Sequence, residues 1–365
     1  MEPNISKINE TNNILTFTLS GVNVSIANGL RRIAVEIPAI VFRTSPHEAC
    51  KAVFENNTTR MNNELVKQRL SCLPIYAPAD FPIADYILVV DKQNKTNTIE
   101  YITTADFAVI NATTNQKDET LTAKMFPANP ITGDYPELVR LLPRVSDNIE
   151  GERLALKCKF DIGTCKEDSS FNVASTCAYA NTADPVKIKE AWAEKKAELG
   201  KTVNAAELAF IEKDWHLLDA KRHFIPDSFD FMVESVGPYT NMEIVNKAAQ
   251  LMIAKLRRLQ DTIQGDPTII KESESTIPNC YDIILKNEDY TLGKVIEYIL
   301  YAKYFNVTLS YCGFRKPHPH IDESIIRLGF KSSQDKVAVT SFIVGVANDG
   351  LQIYTTIAKT FEITA

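Results

Sequence analysis

The sequence predicts an α+β protein built from two similar strand–helix modules, one at each end of the chain, separated by a mainly β region with extra helices. Three observations carry this. The stretch from Ser25 to Ala34 aligns without gaps on the stretch from Thr291 to Leu300, and a strand-like run flanks each on both sides. The helix after Thr240 has an apolar heptad seam, the mark of a helix that packs lengthwise on another. Between about Tyr86 and Trp215 the texture changes to polar Thr/Asn-rich segments alternating with short β-like runs. With 365 residues, 45% of them apolar, there is material for two or three domains and a substantial core.

In chain order, Ile14 to Leu19 reads as a strand leading into a helix capped by Ser25, whose hydroxyl can accept a free first-turn N–H. Ile26, Leu30, Ile33, Ala34 and Ile37 cover an arc of roughly 120° on that helix, and Pro38 stops it. Arg31 lies just off the apolar arc and Arg32 on the far side. A strand at Ala39 to Phe42 comes next, then a helix capped by Asn62 or Asn63, with Glu64 in its first turn, Leu65, Arg69, Leu70 and Leu73 after it, and Pro74 at its end. In the middle region Ile87 to Val90 is a buried-strand candidate, and Leu154, Leu156, Cys158 and Phe160 share one face of another. Asp184-Pro185 opens a charged helix reaching Leu199, and Asn204 with Glu207 caps the next. The strand at Phe229 to Val233 returns to the first module. A capping box at Thr240 to Glu243 then starts a helix whose Val245, Ala249, Met252, Leu256, Leu259 and Ile263 form the heptad seam.

Gly265-Asp-Pro267 closes that helix, and a polar linker extends through Pro278. In the second module Leu292 falls under Ile26, Gly293 under Ala27, Ile296 under Leu30 and Ile299 under Ile33. Its last helix, Ser333 to Phe361, places Val337, Val344, Leu351, Ala358 and Phe361 inward, with Gly345 and Gly350 weakening its helix propensity. The expected boundaries are therefore 1–85 with 216–263 for the first module, 86–215 for an inserted domain, 264–278 for a linker and 279–365 for the second module. Two units with one apolar helix face each can bury those faces on one another as an intramolecular pseudo-dimer. Ile26, Leu30, Ile33, Met252, Leu256, Leu259, Leu292, Ile296, Ile299, Val344 and Leu351 would form that contact.

Chemistry is sparse. No apolar run has the length of a membrane span, and the N-terminus lacks the basic and apolar regions of a secretory signal. Seven scattered cysteines fit reduced thiols in a cytosolic or nuclear setting. A formal net charge of −6 without a Lys/Arg block predicts no general attraction to nucleic acid. Cys158, Cys165 and Cys177 are too irregularly spaced for zinc knuckles, and Cys312 with His318 and His320 lacks a fourth ligand, so neither metal nor cofactor is predicted. Phosphate-loop, dinucleotide and nucleophile-elbow motifs are absent. Cys72 or Cys50 with His47 or His223 could be drawn as a Cys–His pair, but nothing local activates a thiolate. Arg31 and Arg32 read either as solvated charges or as a fork that docks a partner's carboxylate.

Ser25-Ile-Ala-Asn-Gly-Leu-Arg-Arg-Ile33 resembles the first-helix motif of the alpha-type assembly subunits of multisubunit DNA-dependent RNA polymerases. These are the bacterial alpha N-terminal domain, the archaeal D and L subunits and their eukaryotic counterparts. Asn57-Thr-Thr59, Glu64, Arg69-Leu70, Leu73-Pro-Ile75 and Val233-Glu-Ser-Val-Gly237 look like the D type; Asp289-Tyr-Thr-Leu-Gly293 and Arg315-Lys-Pro-His-Pro319 look like the L type. The resemblance spans nearly the whole chain in D-then-L order, joined near Gln264 to Pro278 as in similar fused subunits of large DNA viruses. It implies a non-catalytic platform on which Arg31, Arg32, Asn57, Thr59, Glu64 and Arg69 dock the second-largest polymerase subunit. The L-like half would face the largest subunit, and small zinc-bearing subunits would bind nearby. No sequence-specific nucleic-acid contact, membrane contact or inserted-domain cluster is implied. The setting would be cytoplasmic, in a viral factory or virion, or nuclear for a cellular nuclear polymerase. A free-standing enzyme with a Cys–His site in the inserted domain, and a pseudo-dimeric scaffold outside transcription, are the competing readings.

Overall fold

The computed structural model describes residues 1–77, 81–146, 150–199 and 203–362, apart from the side chain of Pro267. Eight α-helices run through them: α1 (Val24–Ile33), α2 (Asn63–Ser71), α3 (Glu119–Met125), α4 (Pro185–Leu199), α5 (Ala205–Leu217), α6 (Asn241–Gly265), α7 (Tyr290–Tyr304) and α8 (Lys336–Thr360). The chain divides into two compact units. One comprises Met1–Ala34, Thr176–Glu234 and Asn241–Ala365, the other Val35–Ser175 with Ser235–Thr240.

The first unit holds two four-stranded antiparallel sheets of the same topology. In one, the spatial order is Asn4–Thr11, Ile14–Ser20, Phe224–Ser235, Ala174–Ala183; in the other, Ile270–Glu272, Cys280–Lys286, Glu323–Phe330, Leu309–Arg315. Each begins with a hairpin, continues into a short helix (α1 or α7), and ends with a strand that leads into a long helix (α6 or α8). The backbone repeats this plan at one constant separation along the chain. Asn13 and Asn279 take left-handed φ values of 62° and 51° before the second strand of each sheet; Gly21 and Asn287 do so at 74° and 56° after it. Asn and Gly are the residues that tolerate this region, so both turns are encoded locally. Asn23 and Asp289 then cap the helices, accepting the N–H of Ser25 at 2.9 Å and of Thr291 at 2.8 Å. The cap expected at Ser25 thus sits two residues earlier, because an Asx side chain reaches the first-turn amides from there.

The apolar residues of α6 occupy one stripe, with Val245, Ala249, Met252, Leu256, Leu259 and Ile263 all buried. Helix α8 runs along it: Asn246 Nδ2 donates to the Ala358 carbonyl at 2.9 Å, and Gln260 Nε2 to Asn348 Oδ1 at 2.8 Å, so the two helices are antiparallel. The buried stripe of α8 is Val339, Ile343, Val346, Gly350, Ile353 and Ile357. This corrects the expected register in part: Ala358 and Phe361 are buried as expected, and the other three expected positions are not. Val337 is 73% exposed, and Val344 and Leu351 are only half-buried. A heptad template that avoids the glycines falls one face over. Gly350 lies inside the seam, where a Cβ would come within 3.1 Å of Leu256 Cδ1. By length and composition α8 could also cross a membrane, contrary to the sequence reading. Nine of its residues, Val339, Ile343, Gly350 and Ile357 among them, are nevertheless buried within the protein.

The second unit has its own core, in which Phe42, Phe81, Phe107, Phe126 and Phe160 pack among Leu88, Val90, Leu154 and Leu156. Its main sheet is ordered Ala52–Asn57, Arg153–Lys159, Tyr86–Gln93, Ala108–Asn111. Helices α2 and α3 belong to it. This unit starts earlier and ends earlier than the expected 86–215. Ala39–Val41 pairs with Asp161–Gly163 inside it and does not extend a sheet of the first unit. Helices α4 and α5, expected in the insert, come in the chain between two strands of the first unit's sheet, with Trp192, Trp215 and Ala220 as a small core of their own. The expected linker is also shorter, since Ile270–Glu272 is a strand paired with Tyr281–Ile283.

Candidate subunit-docking and helix-pairing sites

In the first unit α1 and α7 pack on one another. Ile26, Leu30 and Ile33 of α1 are buried, as are Leu292, Ile296 and Ile299 of α7 and Met252, Leu256 and Leu259 of α6. Gly29 marks the crossing. A Cβ there would lie 2.6 Å from the Tyr354 hydroxyl, 3.1 Å from Val295 Cγ2 and 3.3 Å from Met252 Cε, so α1, α6, α7 and α8 all converge on it. Tyr354 is fully buried and donates its hydroxyl to the Ile26 carbonyl at 3.1 Å. Burial raises the pKa of this phenol, which therefore acts as a neutral donor. No sequence signal singles out Tyr354; its place in the seam only emerges once the register of α8 is known.

The two arginines of α1 diverge. Arg32 does not point to open solvent. Its Nε donates to Thr291 Oγ1 at 3.0 Å, and its Nη2 forms an ion pair with Asp289 Oδ2 at 3.1 Å. It thus grips the cap of α7. Arg31 bonds through Nε to Asn28 Oδ1 at 3.0 Å, one turn back on its own helix, and its other guanidinium nitrogens have no hydrogen-bond partner among the described residues.

In the second unit the Asn57-Thr-Thr59 turn is a staple. Asn57 Oδ1 accepts the Thr59 N–H and hydroxyl at 3.0 and 2.7 Å, and its Nδ2 donates to the Met61 carbonyl at 3.0 Å and Asn63 Oδ1 at 2.7 Å. The turn sets the start of α2, which Asn62 caps on the Leu65 N–H at 2.9 Å. Arg69 donates from Nε to the Leu138 carbonyl and from Nη2 to the Glu137 carbonyl, both at 2.6 Å, tying α2 to the strand Glu137–Leu141. Asn57, Thr59 and Arg69 therefore have internal partners. Glu64 is exposed and makes a loose pair with Lys67 at 3.5 Å; Leu65, 49% exposed, stands beside it.

A polar groove of about 670 Å³ lies beside α2, lined among others by His47, Glu64, Lys67, Cys72 and Asp168. Cys72 caps the C-terminal end of α2 and is exposed. Cys50 donates its thiol to the Ala52 carbonyl at 3.5 Å. Burial pushes the Cys158 and Cys312 thiols up to about 12 and Cys177 to about 11, away from nucleophilic reactivity. Among the described residues no group of three or more His, Cys, Asp or Glu side chains is arranged to hold a metal.

Residues 16–256 match the model of the RNA polymerase Rpb3/Rpb11 dimerisation domain. The chain belongs to the Rpb3/Rpb11 dimerisation-domain family. Over 277 residues it is 25% identical to DNA-directed RNA polymerase subunit Rpo3 of Pyrococcus horikoshii, an alignment covering 71% of this chain and 97% of that one. Over 295 residues it is 22% identical to DNA-directed RNA polymerases I and III subunit rpac1 of Dictyostelium discoideum, covering 71% of this chain and 81% of that one. The Rpb3/Rpb11 match takes in α1, α2 and most of α6, and it stops before α7 and α8.

Proposed function

We propose that this chain is a non-catalytic assembly platform of a DNA-dependent RNA polymerase, in which a D-like front module and an L-like rear module pair within one polypeptide. The observation that carries the reading is the repeated strand–turn–helix unit, whose two helices meet at Gly29 and Val295. Those two residues occupy equivalent places in the two units, which is how the centre of a two-fold-like contact is built. The Rpo3 alignment supports a fusion, because it nearly exhausts Rpo3 and leaves more than a quarter of this chain over. Fusion replaces a bimolecular encounter by a high effective concentration. Similar fused subunits occur in large DNA viruses, and a viral factory, virion or nucleus is the corresponding setting.

In this reading the second-largest subunit docks on Arg31 and on the exposed face of α2 bearing Glu64 and Leu65. Arg32, Asn57, Thr59 and Arg69 act one step behind, holding those surfaces in place. The rear module faces the largest subunit, small zinc-bearing subunits bind nearby, and polymerisation chemistry belongs to the large subunits. No contact with specific DNA sequence or membrane is required. Affinity purification of the tagged chain from its native source tests this: the two large subunits should be recovered in stoichiometric amounts. Arg31→Glu should abolish the recovery with an unchanged thermal melt. If the large subunits are missing with the unsubstituted chain, the platform reading is lost; if Arg31→Glu retains them, only the docking assignment is.

A further inference from the structure

Three cations of the front module converge on two adjacent carboxylates of the rear one. Lys255 Nζ lies 3.0 Å from Glu288 Oε2, Arg258 Nη2 lies 2.7 Å from Glu288 Oε1, and Arg32 Nη2 lies 3.1 Å from Asp289 Oδ2. Lys255 and Arg258 come from α6, Arg32 from α1. Glu288 and Asp289 sit side by side between the strand Cys280–Lys286 and α7. The Glu288 side chain is only 7% exposed, so its charge has left water and depends on both partners.

The repeated backbone plan shows what stands at the same places in the front module. Under the correspondence that puts Asn23 on Asp289 and Ser25 on Thr291, Glu288 answers to Val22 and Arg32 answers to Tyr298. The front module thus carries no acid at the cap of its helix, and the rear module carries no arginine on α7 to grip one. We propose that Glu288 and Asp289, with Arg32, Lys255 and Arg258, form a charge code that makes the two modules pair with each other and excludes pairing of like with like. This rests on the module-pairing reading above. A front–front contact would set Arg32 against the neutral Asn23. A rear–rear contact would bury Glu288 with neither Lys255 nor Arg258 to balance it, a repulsive element of the kind that specificity requires. Apolar seams alone lack this discrimination, since buried leucine and isoleucine faces of similar shape are interchangeable.

The test uses the full-length chain and light scattering after size exclusion, with the thermal melt as a second readout. Glu288→Gln with Asp289→Asn neutralises the acids and keeps a side chain able to cap α7. Its expected outcome is a shift in mass from one chain to two or more, with a lowered melt. Reversing the front cations (Arg32→Glu, Lys255→Glu, Arg258→Glu) should give the same shift, and combining that set with Glu288→Lys and Asp289→Arg should return the mass to one chain. Leu256→Asp, placed in the seam, is the control for module pairing itself. If Leu256→Asp opens the chain and the neutralised variant stays monomeric with the original melt, the charge code is overturned and the pairing stands. If Leu256→Asp changes neither mass nor melt, the pairing falls and the code with it. A combined charge-swapped chain that folds but keeps the higher mass also overturns the code.

Discussion

Gly29 has negative φ and sits in an ordinary helix, so its role is spatial and not conformational. A methyl group there meets the Tyr354 hydroxyl at 2.6 Å, and Tyr354 is fully enclosed and cannot swing away. Gly29→Ala is therefore expected to destabilise the chain by about 1–3 kcal/mol, the usual cost of overpacking, despite alanine's better helix propensity. Tyr354→Phe removes the colliding oxygen, so the double variant should lose less than the two single losses added together, which a denaturant double-mutant cycle would show. The thiols give a second prediction at this scale. Cys158, Cys177 and Cys312 have folded-state values raised to about 12, 11 and 12, against about 8.5 for an unfolded thiol. Raised values mean that the folded chain keeps the proton while the unfolded chain gives it up. Their contribution is fully present below about pH 8.5 and declines from there toward the folded values. The melt should fall as pH rises above about 8.5, and alkylation at neutral pH should mark the exposed Cys72 first and these three last. A rapid reaction at Cys158 would instead favour a reactive site in the second unit.

At the scale of single elements, the helices show what a sequence reveals and what it conceals. The stripe of α6 was legible because six apolar residues at alternating spacings of four and three leave one solution. That of α8 was not, because valines, isoleucines and glycines run around much of the helix and several registers bury comparable area; the tight approach of Gly350 to Leu256 decides among them. Helix α2 was legible as a helix, from its cap to Pro74, but the use of its polar residues was not. Arg69 resembles a docking group in sequence, yet its guanidinium is given to two backbone carbonyls nearly seventy positions downstream, which spacing alone could not foresee. The clamp predicts that Arg69→Ala will loosen α2 without unfolding the unit. Amide exchange in Val66–Ser71 should speed up by roughly tenfold, the equivalent of about 1.4 kcal/mol, within the range for bonds to a charged donor. Arg69→Lys, which cannot reproduce the two-pronged geometry, should fall between. Unchanged exchange in both variants would make Arg69 an ordinary surface charge.

For the whole molecule, the paired strand–helix plan was legible because both copies carry their local signals in the same order. The extent of the second unit was not, since Ala39–Val41 looks like the continuation of the first module and is claimed by Asp161–Gly163, a partner far along the chain. The rear half is also bound into the front more deeply than the two short helices suggest. Phe361, at the end of α8, is completely buried and packs edge-on to Phe17 at 4.9 Å, and Phe17 stacks on Phe231 at 5.0 Å, so the last helix completes the core of the first sheet. Phe361→Ala should accordingly cost about 3–5 kcal/mol, as large aromatic deletions in cores do, although it lies almost at the end of the chain. These contacts also decide the outcome of cutting the connection. A protease site introduced after Glu274, in the loop between the strands Ile270–Glu272 and Cys280–Lys286, separates the front module from the rear except for the first rear strand, which stays on the front fragment. The α6–α8 seam, the α1–α7 crossing, the Glu288 and Asp289 ion pairs and the Phe361 contact all survive the cut. The two fragments should therefore co-elute at micromolar concentration, with a melt that has become concentration-dependent, because association is once more bimolecular. Fragments that separate on cleavage would show that the seam is too weak to act as a subunit interface, and the covalent link, not the buried surface, would then be what holds the platform together.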